Sequence, residues 1–205
     1  MRLYDYAKSS AAYRVRIALN LKGVDADLTD VDLRTGAQGE AAYGAVSPSG
    51  LVPTLTHGEL TLGQSLAICR YLDRLHPEPR LFPEDPVAEA RVNEMALTVA
   101  CDVHPLNNLR VLNYLRGPLG QDEPDVMAWY AHWIEAGFTA LEQLVGRHGS
   151  DTHCFGETVS MADLCLVPQM FNARRFDVPL DAFPRLLAID AALRARPAFE
   201  AAAPA

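Results

Sequence analysis

The sequence lacks the features that mark a membrane-spanning, exported or nucleic-acid-binding protein. Its 205 residues contain no uninterrupted apolar run of about 20 residues, the length that a membrane-spanning helix needs. Met1 is not followed by a charged and then apolar signal sequence. Lys and Arg together number 18 against 26 Asp and Glu, and the net charge of −8 argues against nucleic acid and anionic membranes as partners. We therefore expect a cytoplasmic protein.

Cysteine is also scarce. The four cysteines form no C-x-x-C pair and no metal-ligand spacing with the six histidines, so no metal site is predicted. These cysteines are Cys69, Cys101, Cys154 and Cys165. At this length a disulfide framework is not indicated, which favours free thiols in a reducing cytosol. The contents of 49% hydrophobic and 21% charged residues are typical of a globular protein with one large or two small domains.

The N-terminal stretch predicts a strand that leads into a helix. Residues 2–6 alternate polar and apolar side chains, Ser9 and Ser10 stand where a helix N-cap is expected, and Gly23 ends the helical pattern. The first-turn N–H groups of a helix are unpaired and its dipole is positive there, so two hydroxyls at this point suit an anion such as a thiolate. Because no cysteine lies in this stretch, a ligand would have to bring the thiol.

The remaining elements follow the order of a thioredoxin-like domain and then become helical. After the first helix the pattern predicts strand 26–33, weak helix or loop 37–46, a proline-broken strand 51–55, strand 60–62 and helix 64–75. Four prolines within 76–86 exclude a helix there. Helices are then predicted over 89–116 with an interruption at Pro105, over 125–147, over 161–171 behind a capping box of Ser160 and Asp163, and over 186–194. The predicted fold is therefore α/β plus all-α, with a thioredoxin-like domain 1–78, a linker 79–86 and a helical domain 87–205.

Two further segments of the thioredoxin-like part extend the candidate site. Pro53 favours either a cis bond after Val52, which would offer that residue's backbone to a ligand, or an ordinary edge-strand proline. Gln64 and Ser65 open a helix whose N–H groups and hydroxyl can hold a carboxylate, although a capping serine is the simpler explanation. With Ser9 they outline a peptide-like ligand that has a thiol at one end and a carboxylate at the other.

Five collinear segments resemble zeta-class glutathione transferases, the family of maleylacetoacetate isomerases. They read S-S-A-A-Y-R-V-R-I-A-L-N-L-K-G, L-V-P-T-L, Q-S-L-A-I, D-V-H-P-L-N-N-L-R-V-L, and M-A-D-L-C-L-V-P-Q with N-A-R-R-F. The resemblance implies the glutathione transferase fold, glutathione as cofactor and a homodimer. By the same resemblance Ser9 would lie beside the glutathione sulfur, with Ser10 at the same helix end. The cysteinyl backbone would meet Val52 and Pro53, and the γ-glutamyl carboxylate would meet Gln64 and Ser65, assisted by Asp102 from the second subunit.

The segment 102–110 and two cations elsewhere suggest the substrate side. At about 100° per residue, His104, Asn107, Asn108 and Arg110 fall within about 160° of helix surface, although a kinked helix with a solvated polar stripe would give the same pattern. The family pattern points to Arg175 as functional and to Arg174 as a surface residue. Three cations would then be available in an acidic protein, namely Lys8, Arg110 and Arg175. Such a set suits a dianionic diketo acid as substrate.

The resemblance implies cis–trans isomerisation of maleylacetoacetate to fumarylacetoacetate, with Ser9, Ser10 and Arg175 as catalytic residues. The glutathione thiolate would add to the cis double bond, the chain would rotate, and expulsion of the thiolate would leave the trans isomer, while the cations stabilise the developing enolate. Ala11 stands where the family usually has cysteine, and Lys8 where it often has arginine. These departures keep maleylpyruvate isomerisation and dehalogenation of α-haloacids open as alternatives. Ser49–Gly50 replaces a polar pair, so no residue is assigned to the glycine end of glutathione. An alternative of another class is a glutathione-binding protein without catalysis.

Overall fold

The computed structural model describes residues 1–204 and divides into two compact units. One unit consists of residues 1–82 and 195–204, and the other of Pro83–Arg194. The first unit carries a four-stranded sheet covered by helices, and in the second the described residues form helices joined by turns. This is the predicted combination of a thioredoxin-like part with a helical part.

The N-terminal unit is built on a mixed sheet. Its elements are β1 (Arg2–Asp5), α1 (Ser10–Lys22), β2 (Asp27–Asp30), α2 (Ala41–Gly44), β3 (Thr54–His57), β4 (Leu60–Gly63), α3 (Ser65–Leu75) and α9 (Pro197–Glu200). The strand order is β2-β1-β3-β4, with β2 parallel to β1 and the other neighbours antiparallel. Leu3, Leu55 and Ile68 are fully buried in its core. The predicted second strand was too long, since pairing with the four residues of β1 limits it to Asp27–Asp30.

Residues 195–204 lie in the N-terminal unit, whereas the predicted helical domain extends to residue 205. Phe199 is fully buried, and its carbonyl accepts a hydrogen bond from the Tyr13 hydroxyl of α1. The carbonyl of Ala202 accepts from Arg16 Nε at 3.0 Å. Burial of this aromatic ring against α1 gives the segment a partner that its weak helical pattern could not reveal.

The helical unit differs from the prediction in its first half. Its elements are α4 (Pro86–Leu97), a π-helical turn (Thr98–Val103), α5 (Leu109–Arg116), α6 (Glu123–His148), α7 (Met161–Arg175) and α8 (Pro184–Arg194). The predicted interruption of helix 89–116 at Pro105 is confirmed as a break across 104–108. Because of that break, the shared helical face predicted for His104, Asn107, Asn108 and Arg110 is not formed. Pro105 lacks an N–H donor, and the Asn108 side chain accepts a hydrogen bond from the Arg110 N–H, so that α5 starts as a new helix.

Two contacts of the helical unit fix its interior. Asp163 is fully buried and forms the predicted capping box with Ser160, while its Oδ1 accepts a hydrogen bond from the N–H of Cys154 at 2.7 Å. In α6, Gly137 lies so close to the π-helical turn that a Cβ there would stand 2.1 Å from Val103 Cγ2. The glycine therefore permits the close approach of α6 to the turn that carries Asp102.

Candidate active site

The strand register brings three predicted site segments to one end of the sheet. Tyr4 near the end of β1 pairs with Thr54 at the start of β3, and Thr54 pairs with Gly63 at the end of β4. The loop that follows β1, the segment that precedes β3 and the start of α3 therefore emerge side by side. These are the segments in which the sequence analysis placed the thiol, the ligand backbone and the carboxylate.

Ser9 is the N-cap of α1, as predicted. Its side-chain oxygen accepts a hydrogen bond from the Ala12 N–H at 3.2 Å. Because that bond uses the oxygen as an acceptor, the hydroxyl hydrogen of Ser9 can be donated elsewhere. Ser10 is the first residue of the helix and is 3% exposed, while Lys8 is exposed. The arrangement places a donor and a helix N-terminus at the same point, which stabilises a negative charge.

Arg16 holds the loop that carries Ser9, a role that the sequence analysis missed. Its Nη1 bonds to Asp5 Oδ1 at 2.6 Å and its Nη2 donates to the carbonyl of Ala7 at 2.9 Å. Burial raises the pKa of the Asp5 carboxyl, and the charge of Arg16 opposes that rise. The signal in the sequence was the presence of basic residues, Arg16 among them, inside a largely apolar helix.

The segment before β3 is held by hydrogen bonds from two side-chain hydroxyl groups. The Leu51 carbonyl accepts hydrogen bonds from the Tyr43 hydroxyl at 2.7 Å and from Ser47 Oγ at 3.0 Å. Val52 is buried against Tyr43, and the Val52–Pro53 peptide bond is cis, one of the two predicted alternatives. The backbone at Val52 is therefore held in one position.

The start of α3 combines an unusual backbone with a buried cation. Gln64 has φ of 66°, a value that residues other than glycine rarely adopt, and such positions cluster at ligand sites. Ser65 is 5% exposed, and its Oγ accepts a hydrogen bond from Arg14 Nη1 at 3.2 Å. Arg14 is itself 2% exposed, and among residues 1–204 its Nε and Nη2 have no hydrogen-bond partner. The sequence analysis did not identify Arg14. This end of the helix is suited to bind an anion.

In the helical unit, four predicted residues lie between the π-helical turn and the first turn of α5. Asp102 is exposed on the turn, and His104 follows it in a half-buried position. Asn108 is the N-cap of α5, and Arg110 in the first turn of that helix is exposed. Asn107, by contrast, is buried and donates to the Tyr130 carbonyl at 2.9 Å, so its role is structural.

The two arginines at the end of α7 differ in their surroundings. Arg174 donates from Nη2 to a carboxylate oxygen of the fully buried Asp190, so the Arg174 guanidinium has a structural role. Arg175 is exposed, and its Cζ lies 5.1 Å from the centre of the Phe176 ring. Burial raises the pKa of the Tyr130 phenol, and the nearby charge of Arg175 partly opposes this. Arg175 is thus a cation whose charge is not neutralised by Asp190.

Comparisons with known proteins identify the family. Residues 8–75 match the family model of the glutathione S-transferase N-terminal domain. A probable maleylacetoacetate isomerase of Vibrio cholerae is 48% identical over 204 residues, covering 98% of this chain and 94% of that one. The chain belongs to the zeta-class glutathione transferases, the family of maleylacetoacetate isomerases.

Solved structures of this zeta-class family share the complete fold. The holo structure of a bacterial maleylpyruvate isomerase, described as a zeta-class glutathione S-transferase, has a TM-score of 0.97 at 43% identity and covers 100% of this chain and 97% of its own. A maleylacetoacetate isomerase of Methylobacterium extorquens with bound malonate and glutathione has a TM-score of 0.96 at 35% identity, with coverage of 100% and 96%. No helix within residues 1–204 is long and apolar enough to cross a membrane.

Proposed function

We propose that the protein converts maleylacetoacetate to fumarylacetoacetate with glutathione as its cofactor. The observation that carries this proposal is the strand register, which gathers Ser9, Val52 and Ser65 at one end of the sheet in a chain of the zeta-class family. The three segments offer a hydroxyl donor, a fixed backbone and an anion-binding helix end. A γ-glutamyl-cysteinyl peptide presents a thiol, a peptide backbone and a carboxylate, so the residues fit this cofactor.

The N-terminal unit would hold glutathione at these three points. Gln64 and Ser65 take the γ-glutamyl carboxylate, because the helix N-terminus is positive and the buried guanidinium of Arg14 lies behind Ser65. Val52, with Pro53 after it, takes the cysteinyl backbone. Asp102 of a second subunit assists at the γ-glutamyl end, for which its exposed position on the π-helical turn is suitable.

Ser9 supplies the electrostatic part of catalysis. When bound, glutathione would supply a thiolate nucleophile for reversible addition to the cis double bond, which is then a single bond and free to rotate until the thiolate leaves and the trans double bond forms. Ser9 donates its hydroxyl hydrogen to the sulfur, since its oxygen already accepts from Ala12. The N-terminus of α1 adds a positive potential at the same place. Ser10, which is buried, supports this helix end in the proposal.

Cationic side chains are assigned to the substrate, a small dicarboxylate diketo acid. Lys8, Arg110 and Arg175 are all exposed, and none is used in the buried ion pairs that fix α1. An arginine binds a carboxylate through two parallel hydrogen bonds, so Arg175 is proposed to bind substrate and to stabilise enolate charge. His104 and Asn108 are proposed as polar contacts to the same substrate.

Maleylpyruvate isomerisation is the second candidate. The bacterial maleylpyruvate isomerase covers 100% of this chain at 43% identity, and Ala11 replaces the cysteine that is usual in the family. Either substrate carries a carboxylate at each end, so the assigned cations serve both.

A spectrophotometric isomerase assay on both diketo acids, with and without glutathione, tests the proposal. We expect turnover of maleylacetoacetate that requires glutathione, and a loss of at least about tenfold in kcat/KM for Arg175→Ala, which corresponds to about 1.4 kcal/mol. Arg174→Ala is the matched control, because it removes the adjacent arginine that bonds Asp190 instead. Faster turnover of maleylpyruvate would favour the second candidate. Equal rates without any thiol would refute the cofactor assignment.

Two further parts of the proposal concern assembly and location. The homodimer is tested by light scattering, and the cytoplasmic location by fractionation of cells that produce the protein. Binding to immobilised glutathione without turnover of either diketo acid would favour the non-catalytic alternative.

A further inference from the structure

Helix α1 contains three buried basic residues, and they are balanced in different ways. Arg16 pairs with Asp5 at 2.6 Å, and Lys22 pairs with Asp73 at 2.6 Å. Arg14 is 2% exposed, and its guanidinium donates to the uncharged hydroxyl of Ser65 instead of to a carboxylate. Two of the buried cations are thus neutralised by carboxylates of the protein, whereas the charge of Arg14 is not.

The unbalanced charge of Arg14 is costly without an anion. Arginine remains protonated in proteins, and a buried charge without a counter-ion is strongly unfavourable. Within residues 1–204 its Nε and Nη2 have no hydrogen-bond partner, and its Nη1 donates to Ser65 Oγ. A carboxylate bound at the start of α3 would supply the missing negative charge.

The contact also fixes the direction of the Ser65 hydroxyl. A guanidinium can only donate hydrogen bonds, so Ser65 Oγ must accept from Arg14. The hydroxyl hydrogen of Ser65 is then free to be donated to another acceptor. Ser65 is the first residue of α3, where the unpaired backbone N–H groups of the first turn can also bind an anion.

We propose that Arg14 is a positioning residue for the γ-glutamyl carboxylate of glutathione, acting through Ser65. It orients the serine as a hydrogen-bond donor and places an uncompensated positive charge behind it, which the bound carboxylate balances. This inference rests on the proposed function, in which Gln64 and Ser65 hold that carboxylate. It implies that the protein without glutathione carries an unfavourable buried charge, so that stability and cofactor binding place opposite demands on this position.

Isothermal titration with two probes tests the proposal. The probes are glutathione and the analogue whose γ-glutamyl α-carboxylate is replaced by a carboxamide. For Arg14→Met we expect glutathione to bind at least tenfold more weakly, equivalent to about 1.4 kcal/mol, while the amide analogue changes less than twofold. In a Ser65→Ala background the same substitution should weaken glutathione binding by a smaller factor, because the residue acts through the serine.

Thermal unfolding without ligand separates this role from a merely structural one. Arg14→Met should melt at the wild-type temperature or above, since it removes an unbalanced charge. The matched control Lys22→Met removes a buried cation from the same helix and leaves Asp73 unpaired. It should melt at a lower temperature and keep the wild-type ratio of the two dissociation constants. Arg14→Lys retains the charge, so its ratio of the two dissociation constants should lie between those of the wild type and of Arg14→Met. This variant replaces Arg14→Met in the test if Arg14→Met does not fold.

The outcomes distinguish the two proposals. If the wild-type protein binds glutathione and the ratio of the two dissociation constants is unchanged in both Arg14 variants, the role of Arg14 is refuted and the proposed function stands. If the wild-type protein does not bind glutathione, the proposed function itself has failed, and the Arg14 proposal fails with it.

Discussion

Removal of the Ser9 hydroxyl should raise the pKa of the cofactor thiol when it is bound. Ser9 Oγ accepts from the Ala12 N–H at 3.2 Å, which leaves one hydrogen to donate to a thiolate. A hydrogen bond to a charged group contributes about 1.5–3 kcal/mol, and one pKa unit corresponds to about 1.4 kcal/mol. Ser9→Ala should therefore raise the pKa of the bound thiol by about 1–2 units and lower kcat near neutral pH by about ten- to a hundredfold.

The same substitution has a second, smaller effect that the structure also specifies. Loss of an N-cap side chain costs about 1 kcal/mol of folding stability, so Ser9→Ala should fold and melt at a slightly lower temperature. Asp85→Ala is the matched control, because Asp85 caps α4 by accepting from the Val87 and Ala88 N–H groups. It should show a similar loss of stability with no change in the thiol pKa.

The assay is a pH titration of the thiolate ultraviolet absorbance of bound glutathione, together with the pH profile of kcat. Ser9→Thr, which retains a hydroxyl, should recover most of the lost activity. A folded Ser9→Ala protein whose bound thiol titrates at the wild-type pH would refute the argument that Ser9 stabilises the thiolate.

Three further predictions concern positions that the structure singles out. In urea denaturation, Gly137→Ala should destabilise the protein by about 1–3 kcal/mol because its Cβ clashes with Val103. The control is Gly146→Ala in the same helix, where a Cβ would stand 3.4 Å from the flexible Arg185 side chain. This variant should have unchanged or increased stability. Equal effects would contradict the close-packing argument. Gln64→Gly should keep or increase the stability of the protein, because glycine adopts a φ of 66° without steric strain. The same variant should bind glutathione more weakly in calorimetry. A loss of stability would show that the backbone at Gln64 is not strained. Asp163→Ala leaves the N–H groups of Cys154 and Ser160 and the Ser160 hydroxyl without this acceptor, and it should lower the free energy of unfolding by at least about 3 kcal/mol. Asp122→Ala at the exposed cap of α6 should cost about 1 kcal/mol, and similar losses for the two variants would refute the role of burial.

Local sequence signals indicated most elements of the N-terminal unit, with the short α9 as an exception. Alternation over residues 2–5, a serine at the helix start and Gly23 at its end act within one or two turns, so they act the same way in any fold. The capping box of Ser160 and Asp163 is similarly local, and the structure contains it. The family resemblance added the identity of the cofactor and the roles of individual residues, which local patterns do not specify.

Tertiary structure decided the features that depend on partners distant in sequence. The face predicted for His104 to Arg110 failed because a π-helical turn packed on Gly137 and a new cap at Asn108 replace the regular helix. The final segment joined the N-terminal unit because Phe199 is buried against α1. The sequence shows that Arg14 is charged, but only the folded chain shows that this charge is buried with a serine hydroxyl as its hydrogen-bond partner. Burial and pairing are properties of three-dimensional neighbours, which periodicity along the chain does not encode.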